Sequence, residues 1–133
     1  MIACAVVLVA SACRAEQVGQ PLTSSDKAFF IDLQHAVKTR DIDWLVSHVS
    51  FPLPISEGDV HLRLSDPTEF KARYDEIFDS AVKREIASQS AEELFKTWRG
   101  LMVADGVVWF EAVLDAGGAR RYYITAINKK PRS

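Results

Sequence analysis

The side chains in this chain suited to proton transfer, metal binding or ligand capture are three histidines, one adjacent Tyr-Asp pair and a group of aromatic and charged residues in the last third. His35, His48 and His61 fall in three different predicted elements, without the short spacings at which imidazoles converge on a metal. No metal or cofactor is therefore expected. Tyr74-Asp75 has the composition of an acid-base dyad, but adjacent helix positions point about 100° apart and cannot address one reacting atom. Tyr74 is accordingly assigned to the core. Arg99 and Tyr123 could orient an anionic ligand on one face of a sheet, with Trp98, Trp109 and Glu111 on the other. The same residues also read as an aromatic core with a snorkelling arginine and a surface glutamate. No catalytic residue is assigned.

The elements that position these residues follow from hydrophobic period and turn chemistry. Ser24 or Ser25 can cap a helix burying Phe29, Phe30, Leu33, Ala36 and Val37, with Asp26 favoured in its first turn by the helix dipole. Asp41 starts a short helix through Trp44, Leu45 and Val49. It stops before Phe51-Pro52-Leu53-Pro54, which should be extended at a sheet edge or bend. A turn at Gly58 leads to a strand over residues 60–64. Asp66-Pro67-Thr68-Glu69 then has the cap, first-turn proline and third-position acid of a helix start, and Phe70, Tyr74, Ile77 and Phe78 form its apolar stripe. Asp79 caps a further helix carrying Val82 and Ile86 inward, and helical content ends near residues 88–90.

Three strands are predicted after that, over residues 94–103, 107–114 and 121–128, with turns at Asp105-Gly106 and Gly117-Gly118. A two-residue turn at Asp105-Gly106 pairs Met102 with Trp109. It puts Trp98, Gly100, Met102, Trp109 and Glu111 on one face and Phe95, Arg99, Leu101, Phe110 and Ala112 on the other. Both faces are largely apolar, so helices are expected on one and a partner, ligand or second subunit on the other.

The 133 residues suit one domain, and 48% hydrophobic with 26% charged residues is a globular composition. A net charge of −2 gives no general attraction to nucleic acid, and the only basic run, Lys129, Lys130 and Arg132, reads as a solvated tail. Both cysteines, Cys4 and Cys13, lie near the N-terminus. Residues 2–12 are uncharged and apolar, too short to span a bilayer but suited to a signal-peptide core. No Lys or Arg precedes them, which reads as a start assigned too late or, alternatively, as a buried N-terminal element rather than a signal segment. The run Val9-Ala10-Ser11-Ala12-Cys13 resembles the lipobox of bacterial lipoproteins, whose cysteine is acylated and becomes the mature N-terminus. The resemblance implies lipidation at Cys13 and a bacterial cell-envelope location, lipid-anchored and facing the periplasm. Ala10-Ser11-Ala12 also fits ordinary secretory cleavage, which would give a soluble periplasmic product. The expected organisation is a signal segment over residues 1–12, an anchor and tether over 13–23, one domain over 24–129 and a tail over 130–133.

Three stretches, residues 41–53, 70–78 and 98–110, together with the closing Ile124-Thr125-Ala126-Ile127-Asn128, resemble a group of small bacterial envelope proteins in the nuclear transport factor 2-like superfamily. That resemblance implies an α+β fold in which helices form a cone against a curved antiparallel sheet, often with a cavity between and often dimerising through the sheet. It implies no one activity. The expected function is a non-catalytic envelope binding or interaction module, with the membrane reached through the lipid anchor alone. The partner is a small molecule, an envelope protein or a second copy, and no nucleic acid. The alternative is a small-molecule enzyme of isomerase or dehydratase type with a buried acid-base residue in the cavity.

Overall fold

The computed structural model describes residues 19–130. Cys4, Cys13, the signal segment and most of the tether therefore lie outside the described residues. The fold is α+β, with helices set against a six-stranded, mostly antiparallel sheet that is curved and unclosed. In chain order the elements are α1 (Ser24–Thr39), α2 (Ile42–Ser47), β1 (Leu53–Glu57), β2 (Val60–Leu64), α3 (Pro67–Ala72), α4 (Tyr74–Ile77), α5 (Ser80–Ser88) and a 3-10 turn (Ala91–Glu93). They end with β3 (Phe95–Thr97), β4 (Gly100–Val103), β5 (Val108–Leu114) and β6 (Arg120–Lys129). The sheet order is β2-β1-β6-β5-β4-β3, with β1 and β6 parallel.

Except for α4, which follows α3 directly at Arg73 with no side-chain cap, each α-helix starts where a side-chain oxygen takes an orphan N–H. Asp41, Asp66 and Asp79 accept from Trp44, Glu69 and Val82 N–H groups at 3.0–3.1 Å. α1 corrects the expected cap by one residue. Thr23, not Ser24 or Ser25, is its N-cap, and Thr23 and Asp26 form a reciprocal capping box. Gln20, within the stretch read as a tether, donates its N–H to the Lys96 carbonyl at 2.8 Å and so lies along β3. Phe51-Pro52 form the expected bend, and β1 is an interior strand rather than an edge. Its pairing with β6 begins at Ile55, past both prolines.

The core lies between the helices and the inner face of the sheet. Phe29, Phe30, Leu33, Ala36 and Val37 of α1 are all buried, and the Phe30 ring lies parallel to Phe110 of β5 at 6.3 Å. A second aromatic group, Phe70, Tyr74 and Phe78, fills the space under α3 and α4. At the end of β6, Lys129 departs from the expected solvated tail. Its side chain is nearly buried, and its Nζ donates to the Glu76 carbonyl at 2.7 Å and pairs with Asp79 at 3.0 Å.

The strand expected over residues 94–103 is two strands. β3 and β4 are joined by a two-residue reversal at Trp98-Arg99, so the meander has four strands. Gly100 makes the reversal possible, with a φ of 138° and a position where a Cβ would stand 2.8 Å from the Phe110 carbonyl oxygen. The β4–β5 register is as read from the sequence, with Met102 opposite Trp109. The turn differs from the expected two-residue turn at Asp105-Gly106, however. Its loop covers residues 104–107, and Ala104 (φ 53°) and Gly106 (φ 91°), not Asp105, take left-handed backbone. A side chain at 106 would also meet the Trp109 indole nitrogen, 3.3 Å from an ideal Cβ. Gly106→Val is therefore expected to destabilise the domain by more than about 1 kcal/mol, measured by urea unfolding. A loss within about 0.3 kcal/mol would mean that the loop adopts another conformation.

Candidate functional site

Two places gather the polar and aromatic groups named from the sequence. The first is the outer face of the meander. Pairing aligns Phe95, Met102, Trp109 and Ala126 in one row across β3, β4, β5 and β6. The adjoining inner row, Leu101, Phe110 and Ile124, is buried against the helices, so the first row faces outward. Glu111 pairs with Tyr123 on the same outer face, and Gly100 lies beside Glu111. A bulge between Trp109 and Phe110 inserts Thr125 into β6.

This geometry redistributes the residues named from the sequence. Trp109 and Glu111 stay together, and Tyr123 joins them rather than Arg99. Phe95 moves to the outer face because the reversal at residues 98–99 inverts the order of inward and outward positions before it. Trp98 and Arg99 leave the strand faces altogether and form the hairpin tip. There Trp98 is 80% exposed, with the Arg99 guanidinium 5.1 Å from its ring. Phe95, 37% exposed, completes an apolar margin beside the tip.

The second place is the N-terminus of α1, where the structure reveals a cluster the sequence reading missed. Asp26 is only 1% exposed. One carboxylate oxygen accepts from Lys96 Nζ at 2.7 Å and from the Thr23 N–H at 2.9 Å, and the other accepts from the Tyr122 hydroxyl at 2.6 Å. Burial alone would raise its pKa. The Lys96 ammonium, the Thr23 amide and the Tyr122 hydroxyl outweigh that and hold the carboxyl below its ordinary range. Burial and the hydrogen bond to Asp26 push the Tyr122 phenol upward. A recess of about 230 Å³ opens beside the cluster, lined by Asp26, Lys96, Trp98, Glu111 and Arg120 among others. One signal was available in the sequence: Thr23-x-x-Asp26 is a capping-box spacing. The partners that bury Asp26 lie 70 and 96 residues away, out of reach of any local pattern.

The histidines take no part in either place. The His48 ring stacks on Trp44 at 4.1 Å, with its Nδ1 2.8 Å from the Trp44 carbonyl oxygen, while His35 and His61 are exposed. Among the described residues no group of His, Cys, Asp or Glu could hold a metal ion, and no helix is long and apolar enough to cross a membrane. Tyr74 and Asp75 diverge as helix geometry requires. Tyr74 is buried beneath the Arg40 guanidinium, 5.2 Å from its ring centroid, and Asp75 is exposed and bound to Arg40. Comparisons with protein-family models, with curated proteins and with solved structures find no match for this chain.

Proposed function

We propose that this chain is a non-catalytic interaction module of the bacterial cell envelope, tethered through a lipid on Cys13, that docks an envelope protein against the outer face of its sheet. The observation that carries the reading is Trp98, held 80% exposed at the tip of a tight hairpin beside Phe95 and the Met102–Trp109 row. A large indole kept in water by a two-residue turn is costly surface, and such surface marks recognition sites. The helix side supports the same reading, because the space between helices and sheet is filled by Phe29, Phe30, Phe70, Tyr74, Phe78 and Phe110. Helices ranged against a curved antiparallel sheet are also what support the nuclear transport factor 2-like resemblance.

One observation favours the enzyme reading, namely buried Asp26 beside Tyr122 and an open recess. A general acid or base works best with a pKa near the operating pH. Asp26 is instead held ionised by three donors, the arrangement of a strut between α1, β3 and β6.

The test uses the full chain in a bacterial host, with photoreactive benzoylphenylalanine in place of Trp98 or Trp109 and, as control, of exposed Ala72 on α3. Positions 98 and 109 are expected to crosslink one protein of defined mass in the membrane fraction, and position 72 is not. A fatty-acid analogue is expected to label the wild type and not Cys13→Ser, which also leaves the membrane fraction. Equal crosslinking from all three positions would overturn the docking face. Label retained in Cys13→Ser would overturn the anchor.

A further inference from the structure

We propose that the cleft between α1 and α5, on the helical side of the domain, binds a single anionic amphiphile: an anionic head carrying one short apolar tail. The cleft has a volume of about 530 Å³, within the range of small-molecule sites. Its floor is Val37 and Ile86, and Ala87 adds an exposed methyl. Around this apolar floor stand Lys38, Arg40 and Lys83, and no acidic residue lines the cleft. Arg40 is engaged by Asp75, whose carboxylate also feels the charge of Lys83. Lys38 makes no ion pair among the described residues.

Both halves of the ligand follow from this lining. Cations converging on one cleft repel one another, and an anion placed among them removes that cost. An inorganic anion would leave the apolar floor unused, and an uncharged tail would leave Lys38 without an ion pair. The aliphatic stems of Lys38 and Lys83 can extend the apolar surface while their ammonium groups stay at the rim. The cleft is also held at fixed width. The Gln34 side-chain amide donates to the Ile86 carbonyl at 3.0 Å and to the Gln89 carbonyl at 2.9 Å, fastening α1 to the end of α5. A ligand entering it meets a preformed site and spends little on ordering it. This site shares no residue with the outer sheet face, so either proposal can fail without the other.

Sodium octanoate is the probe, titrated into the protein by calorimetry and followed by NMR at the Ala87 methyl, with 1-octanol and inorganic phosphate as controls. Octanoate is expected to bind and shift the Ala87 signal, at least tenfold more tightly than either control. Lys38→Gln and Lys83→Gln, both exposed and expected to fold normally, should each weaken octanoate about threefold, the yield of one solvent-facing ion pair. Ala87→Glu should abolish binding, and added salt should weaken it in the wild type. The proposal is overturned if 1-octanol or phosphate binds as tightly, or if the lysine variants bind octanoate unchanged. It is equally overturned if the chain adheres to phosphatidylglycerol vesicles while octanoate leaves the Ala87 signal unmoved.

Discussion

Phe78→Ala is expected to lower the stability of the domain by about 3 to 5 kcal/mol, a large share of the total for a chain of this size. Phe78 is fully buried at the junction where α4 ends and Asp79 starts α5. Its ring stacks on Tyr74 at 5.1 Å and meets Phe70 edge-on at 6.1 Å. Alanine would remove the ring that both neighbours pack against, leaving a cavity in a place pinned on two sides. Three short helices meet there, two of them fixed by the Asp66 and Asp79 caps, so the backbone has little freedom to collapse into the space. Urea unfolding reads the loss as a lower midpoint at unchanged slope. A loss below about 1 kcal/mol would mean that this face is exposed in solution and the helix register is wrong.

Asp26→Ala carries the second largest expected effect, about 2 to 4 kcal/mol. Removing one partner of a buried ion pair costs roughly 3 to 5 kcal/mol because the other charge is stranded. Lys96 is 20% exposed and can rehydrate in part, which lowers that figure. Loss of the capping box adds about 1 kcal/mol, and the buried Tyr122 hydroxyl loses its acceptor. The pH dependence has a definite sign. A carboxyl whose folded pKa is depressed stabilises the fold above its unfolded value, near 4, and that contribution is lost as the pH falls through the folded value. The wild type should therefore lose stability below about pH 4 more steeply than Asp26→Asn. Parallel profiles for the two proteins would mean that Asp26 is not the ionised strut described here.

The elements most legible in the sequence are those whose cause is local. The Asp66-Pro67 start, the Asp41 and Asp79 caps and the apolar stripe of α1 depend on residues within about two turns of one another; the single helix expected from Asp66 is instead divided at Arg73, so Phe70, Tyr74, Ile77 and Phe78 are buried from α3, α4 and the C-cap of α4. The β4–β5 register was legible because a Gly-containing turn with apolar positions on both sides permits one alignment that buries Phe110. Trp98-Arg99 was not read as a turn, since neither residue carries turn chemistry. The signal was Gly100, whose need for positive φ became apparent only with the Phe110 backbone against it. Asp26 is the first-turn acid that the sequence predicts, but its burial was not legible, for a different reason. As a helix-start acid it has a sufficient local explanation, and its burial is imposed by Lys96 and Tyr122 from the far end of the chain.

The contact of Gln20 with the Lys96 carbonyl bears on how copies of this protein can associate. A sheet with two bare edges is bivalent and can add strands without end. Here the β3 margin is three residues long and already answered by Gln20, with Gly19 pressed against Phe95 and Lys96 behind it. Among the described residues, β2, carrying outward His61 and Arg63, is the edge that remains open for backbone pairing. Among the described residues the sheet is thus monovalent as a strand donor. Two copies joining β2 to β2 would exhaust each other's free edge, and the growth would stop at a pair.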